Sequence, residues 1–213
     1  MSVQPDETRE RRVELFATIL LAVAAVGTAW STYQSTQWRG QQAVNTSKGT
    51  AARIESSEAA TRAGQLTQID IATFVQWTDA HLAGNRELAE FYRRRFRPEF
   101  QPAFAAWIAT APFMNPDAPL SPFAMPEYSV SEDVRSSQLN AEAGGHSDDA
   151  ELANQRADNY VLAVVLLASA LFFAGISTKL HRLRQREGLL ALGWLIFLGT
   201  VIWLITSPVQ ISV

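Results

Sequence analysis

The sequence predicts an all-α membrane protein, with three transmembrane helices, an extracytoplasmic helical stalk and a small helical cap. Three observations carry this. Apolar runs without a charged residue occupy 15–30, 160–178 and 189–206. No proline interrupts the chain between Pro5 and Pro98, which favours long helices. The intervening segment 31–158 is polar at both ends and aromatic in the middle.

A bilayer core ~30 Å thick needs about 20 helical residues to cross. The runs supply them at 13–33, 159–178 and 189–207. A single such run could be a buried core helix. Three cannot be, because the rest of the chain has too little apolar material to surround them. Trp30, Tyr33, Trp38, Tyr160, Trp194 and Trp203 sit near run ends, as an interfacial belt does. Gly27-Thr28-Ala29 is a passable small-x-small cleavage site, but the first run is read as an uncleaved anchor.

Cations in short flanks set orientation. Arg9, Arg11 and Arg12 precede the first span, and Lys179, Arg182, Arg184 and Arg186 separate the second from the third. Both flanks belong inside. The N-terminus (1–12) and the loop 179–188 are then cytoplasmic, while 34–158 and the tail 208–213 are extracytoplasmic in a multi-pass cell-membrane protein. Cysteine is absent, so packing alone must hold the outer domain, which suits a bacterial or archaeal surface better than a secreted eukaryotic one.

The outgoing arm, 34–64, is rich in Gln, Ser, Thr and Ala. Its candidate packing residues are Ala51, Ala52, Ala59 and Ala60, a narrow seam for close helix contact. The returning arm, 131–158, starts at Ser131 with Glu132 and Asp133 in a first turn that favours acids. The outgoing arm is basic on balance and the returning arm acidic. An antiparallel register pairing Arg39 with Asp158 also brings Lys48 to Asp149, but sets Arg62 against Arg135. Gly144-Gly145 is a candidate break, since each glycine costs ~1 kcal/mol inside a helix. In the first and second spans, Ala22, Ala25 and Ala29, and Ala170 and Ala174, have spacings that permit tight packing.

The cap, 65–130, begins with two apolar stripes, one of Leu66, Ile69, Phe74 and Trp77, the other of Ile71, Val75 and Leu82. A helix apolar on two sides is expected to be buried on two sides. Gly84-Asn85 reads as a helix stop and turn. Short helices follow over Arg86–Phe96 and Pro102–Thr110. The stretch 112–128 has five prolines and many large apolar groups, so it reads as an ordered loop over the cap core.

The segments FYRRRFRPEFQPAFAAW and NPDAPLSPFAMPEY, within Gln68–Tyr128, resemble those of a group of bacterial three-span membrane proteins with an extracytoplasmic helical domain. The group has no activity attached, so the resemblance implies architecture alone.

Nothing in the chain points to catalysis, a cofactor or a metal. Asp79 and His81 lie two apart on a helix and diverge. His146 with Asp148 and Asp149 reads as a solvated face. No serine has a nucleophile context, and glycine-rich phosphate loops are absent. Arg93, Arg94, Arg95 and Arg97, with Phe113 and Phe123, form the candidate interaction surface, with ion pairing to the acidic returning arm or to a neighbouring subunit favoured for the arginines. Nucleic acid would need a larger basic footprint. The runs 15–30, 160–178 and 189–206 hold no Asp, Glu, Lys, Arg or His, which argues against a coupled transporter. The expected function is a non-enzymatic interaction or assembly module with the bilayer and either its own copies or another membrane protein as partners. A homo-oligomeric channel, with Gln34, Ser35, Gln37, Gln41 and Gln42 around a polar vestibule, is one alternative. A sensor or accessory subunit is the other.

Overall fold

The structure, a computed structural model, describes residues 5–180 and 182–209. The first residues of the N-terminal segment and most of the 208–213 tail lie outside that range. The described residues form five α-helices and one 3-10 turn, with no strand among them. The helices are α1 (Pro5–Leu82), α2 (Arg86–Arg93), α3 (Gln101–Ala109), α4 (Ser131–Ser177) and α5 (Leu183–Ile205); the turn is Pro122–Ala124. Three of them, α1, α4 and α5, carry windows long and apolar enough to cross a membrane. The chain divides into two compact units, Met1–Thr46 with Ser147–Val213, and Ser47–His146.

The first unit is built from parts of α1 and α4 together with α5. On α1 Val13, Ala17, Leu20, Ala24, Ser31, Gln34, Trp38 and Asn45 are buried at helical spacing along one face, with Ser35 beside them. On α4 they are Ala150, Ala153, Ala157, Tyr160, Ala163, Leu167, Ala170, Ala174 and Ser177, three or four apart throughout. Most are alanines, so the helices can approach closely. At Gly193 of α5 an added Cβ would lie 3.1 Å from Leu20 and 3.3 Å from the Ala170 carbonyl. Leu15, Phe16, Ile19, Val23 and Val26 are exposed, as an apolar solvent permits.

Two sequence expectations change here. Ala22, Ala25 and Ala29 are exposed; the small residues that pack in the first span are Ala17, Ala24 and Gly27, the last against Leu167. The reason is phase: the face that carries Leu20 and Gln34 excludes the other alanines. The third helix starts at Leu183, so Arg184 and Arg186 belong to its first turns rather than to a loop. At the polar end of this unit, Arg39 donates to Asp158 at 3.2 Å, the pair from which the antiparallel register was drawn. Arg156 lies 4.5 Å over the Trp38 ring, and the Tyr160 hydroxyl donates to the Pro208 carbonyl at 3.0 Å. Gln34 and Ser35 are buried inside the chain.

In the second unit, the remaining part of α1 pairs with the start of α4. The Ser56 hydroxyl donates to the Ser136 carbonyl at 2.9 Å, and Ala52, Ala59 and Ala63 are buried on that same side of α1. Ala51 and Ala60 are exposed, so the four candidate packing alanines split. One pair packs inside the chain and the other faces out. α4 runs through Gly144-Gly145 without a break; both sites have open space where a Cβ would stand. Arg62 lies 3.8 Å from Glu58 and Arg135 4.0 Å from Glu132, each an acid on its own helix.

Candidate interaction surface

The second unit closes around an aromatic core, and its surface follows from how that core is assembled. Leu82 ends α1, and Gly84 takes a positive φ of 70°, which glycine adopts without strain. The Asn85 amide returns to the Ala80 carbonyl at 2.9 Å. The Asn85 side chain then accepts from the Leu88 amide at 3.0 Å and caps α2. Pro102 sits in the first turn of α3, where its missing N–H costs nothing.

These turns bring Trp77 and Ala80 of α1 against Phe96, Phe100, Phe104 and Trp107. Trp77 meets Phe104 edge-on at 4.7 Å, and Phe74 meets Trp107 edge-on at 5.3 Å. The proline-rich loop does two things. Its later half closes the core: Phe123 stacks on Phe100 at 5.2 Å, Tyr128 packs edge-on to Phe123 at 5.1 Å, and the Trp107 indole N–H donates to the Pro119 carbonyl at 2.7 Å. Other positions of the loop face out. Phe113 stacks on His81 at 4.9 Å but stays half-exposed, while Met114 is 83% and Leu120 98% exposed. Phe123 therefore belongs to the core, whereas Phe113 lies on the surface.

The arginine cluster also divides. Arg97 donates from Nε and Nη2 to the two oxygens of Asp70, at 3.0 and 2.9 Å, and from Nη1 to Glu99 at 2.8 Å. Asp70 is 0% exposed, and the Tyr128 hydroxyl reaches it at 3.3 Å. Fork geometry of this kind is among the strongest side-chain interactions and needs arginine. The Arg97 guanidinium is held more basic than usual, first by its hydrogen bonds to Asp70. Glu99 is held below the ordinary carboxylate range, first by the Ser131 hydroxyl and then by Arg97. It thus joins Arg97 to the start of α4. Burial pushes the Tyr128 phenol up.

The other arginines have local roles. Arg93 forms two bonds to Glu90, at 2.7 and 2.9 Å, Arg94 lies 3.8 Å from the same carboxylate, and Arg95 sits 3.4 Å over the Phe91 ring. The pairing expected for the cluster is present, but its acids come from α1, α2 and the segment before α3, not from the returning arm. Asp70 and Glu99 were missed. Asp70 did carry a signal, since it stands seven residues before Trp77 and seven after Ala63, on the buried phase of α1.

The second apolar stripe of α1 differs from expectation. Ile71, Val75 and Leu82 are exposed, Val75 at 50%. They fall on one side of the helix, while Asp70, Trp77 and Ala80 take the other. The core needs only that other side, because α2, α3 and the loop fill it. The exposed stripe, with Met114 and Leu120 elsewhere on the unit, is the candidate interaction surface. Comparison with protein-family models, curated proteins and solved structures finds no match.

Proposed function

We propose that the chain is a non-enzymatic interaction module anchored in a cell membrane by α1, α4 and α5, with the unit Ser47–His146 outside the cell and self-associating through the exposed stripe of α1. The observation that carries this reading is the row Ile71, Val75 and Leu82, exposed on a helix whose opposite side is already packed. Exposed large apolar side chains along one side of a helix in a polar domain are where contact sites form. A second copy is the occupant that this geometry favours. Chains anchored in one membrane share an orientation and a thin layer of volume, so like stripes meet at raised effective concentration. A contact of a patch with itself closes on a two-fold axis. The basic flanks at Arg9–Arg12 and Lys179–Arg186 support an inside N-terminus. The mass of the full chain in mild detergent, measured over a range of concentrations, tests the proposal; a partner chain of another kind would leave this chain monomeric.

A further inference from the structure

The first unit carries a groove that the interaction module does not use. It lies between the start of α1 and the start of α5, with a volume of about 470 Å³. Its lining is divided by chemistry. Arg9 and Arg12 stand at one end, with Glu187 holding Arg9 at 3.2 Å. Phe16, Leu190 and Trp194 form an apolar wall, in which Trp194 meets Phe16 edge-on at 6.5 Å. The Trp194 indole N–H is buried and has no acceptor among the described residues. The groove sits where the charged flanks meet the apolar runs on both helices, because Arg12 precedes Phe16 by one turn and Glu187 precedes Leu190 by one turn.

We propose that this groove binds an anionic phospholipid, with the phosphodiester on Arg12 and Arg9 and an acyl chain along Phe16, Leu190 and Trp194. The surrounding charge agrees. Arg9, Arg11, Arg12, Lys179, Arg182, Arg184 and Arg186 outnumber Asp6, Glu7, Glu10, Glu14 and Glu187 in and beside the two flanks. Basic pockets between spanning helices recognise lipid headgroups in this way. Inorganic phosphate would satisfy the arginines and leave the apolar wall bare, whereas a zwitterionic lipid would fill the wall but set its own cation among the arginines. The inference rests on the spans alone and stands whether or not the chain self-associates.

The test is native mass spectrometry of the full chain in mild detergent, titrated with phosphatidylglycerol, phosphatidylcholine or inorganic phosphate. Three variants accompany it. Arg12→Gln removes a charge. Arg12→Lys keeps the charge and loses the planar fork. Ala191→Trp fills the groove from an exposed lining position without changing charge. The expected result is retention of phosphatidylglycerol over phosphatidylcholine, weakened roughly tenfold by Arg12→Gln, weakened by Arg12→Lys, and abolished by Ala191→Trp with the helical circular dichroism unchanged. Equal retention of the two lipids, displacement by inorganic phosphate, or binding unaffected by Ala191→Trp would overturn the site. The last outcome would reduce it to general attraction between a basic flank and an anionic surface.

Discussion

Arg97 grips Asp70 through two parallel hydrogen bonds, at 3.0 and 2.9 Å, and the carboxylate it grips is wholly buried. The pair ties the segment before α3 to the C-terminal part of α1, and Glu99 extends the tie to Ser131 at the start of α4. Desolvating two charges is expensive, so such a pair adds less to net stability than to register.

Breaking one side of it is another matter. Arg97→Met leaves a buried carboxylate without its partner and should cost about 3–5 kcal/mol. The double variant Asp70→Leu with Arg97→Met should recover most of that loss. Limited proteolysis and thermal melting of the full chain measure both. A single variant that melts like the wild type would show the pair to be solvent-screened.

Glu99 makes the tie sensitive to acid. Its folded pKa is depressed below the ordinary 4.5, so its contribution is present above that value and is lost as the pH falls through the lower folded value. Melting temperature should drop as the pH is lowered from about 5 to about 3. Glu99→Gln should flatten that dependence, and parallel curves for variant and wild type would rule the contribution out.

The alanines of the second unit give a paired test. Ala52 is buried on the Ser56 side of α1 and Ala60 is exposed. Ala52→Leu should overpack that contact and destabilise the unit by about 1–3 kcal/mol. Ala60→Leu should stay within about 0.5 kcal/mol of wild type. Equal effects in chemical unfolding would mean that the two sites share one environment.

How much of this was legible depends on the range of the interaction. The spans follow from hydropathy, which is summed locally, and the Gly84-Asn85 stop follows from backbone preference. Trp77 showed itself by phase and size. The Asp70–Arg97 pair did not, because a mid-helix aspartate looks like a surface residue until a partner 27 positions away is placed beside it. Ala22, Ala25 and Ala29 have the spacing of a packing seam but the wrong phase, and spacing alone does not set phase. Ile71, Val75 and Leu82 read as buried because apolar side chains usually are. Only the folded cap shows that its core is complete without them.

Orientation has its own test. The chain has no cysteine, so single cysteines at Ser2, Ser121 and Ser212 report without background. The first and last lie outside the described residues; Ser121 precedes the Pro122–Ala124 turn. The basic flanks predict that an impermeant thiol reagent labels the second and third in intact cells and spares the first. Labelling at position 2 alone would invert the topology.

Self-association through the α1 stripe is the central claim, and particle mass tests it most directly. The full chain in mild detergent should run as a dimer or larger assembly at high concentration and dissociate on dilution. The double variant Ile71→Glu with Val75→Glu should be monomeric with its helical content unchanged, since both side chains are exposed. A wild-type chain that is monomeric at every concentration, or an assembly that survives both charges, would contradict the account.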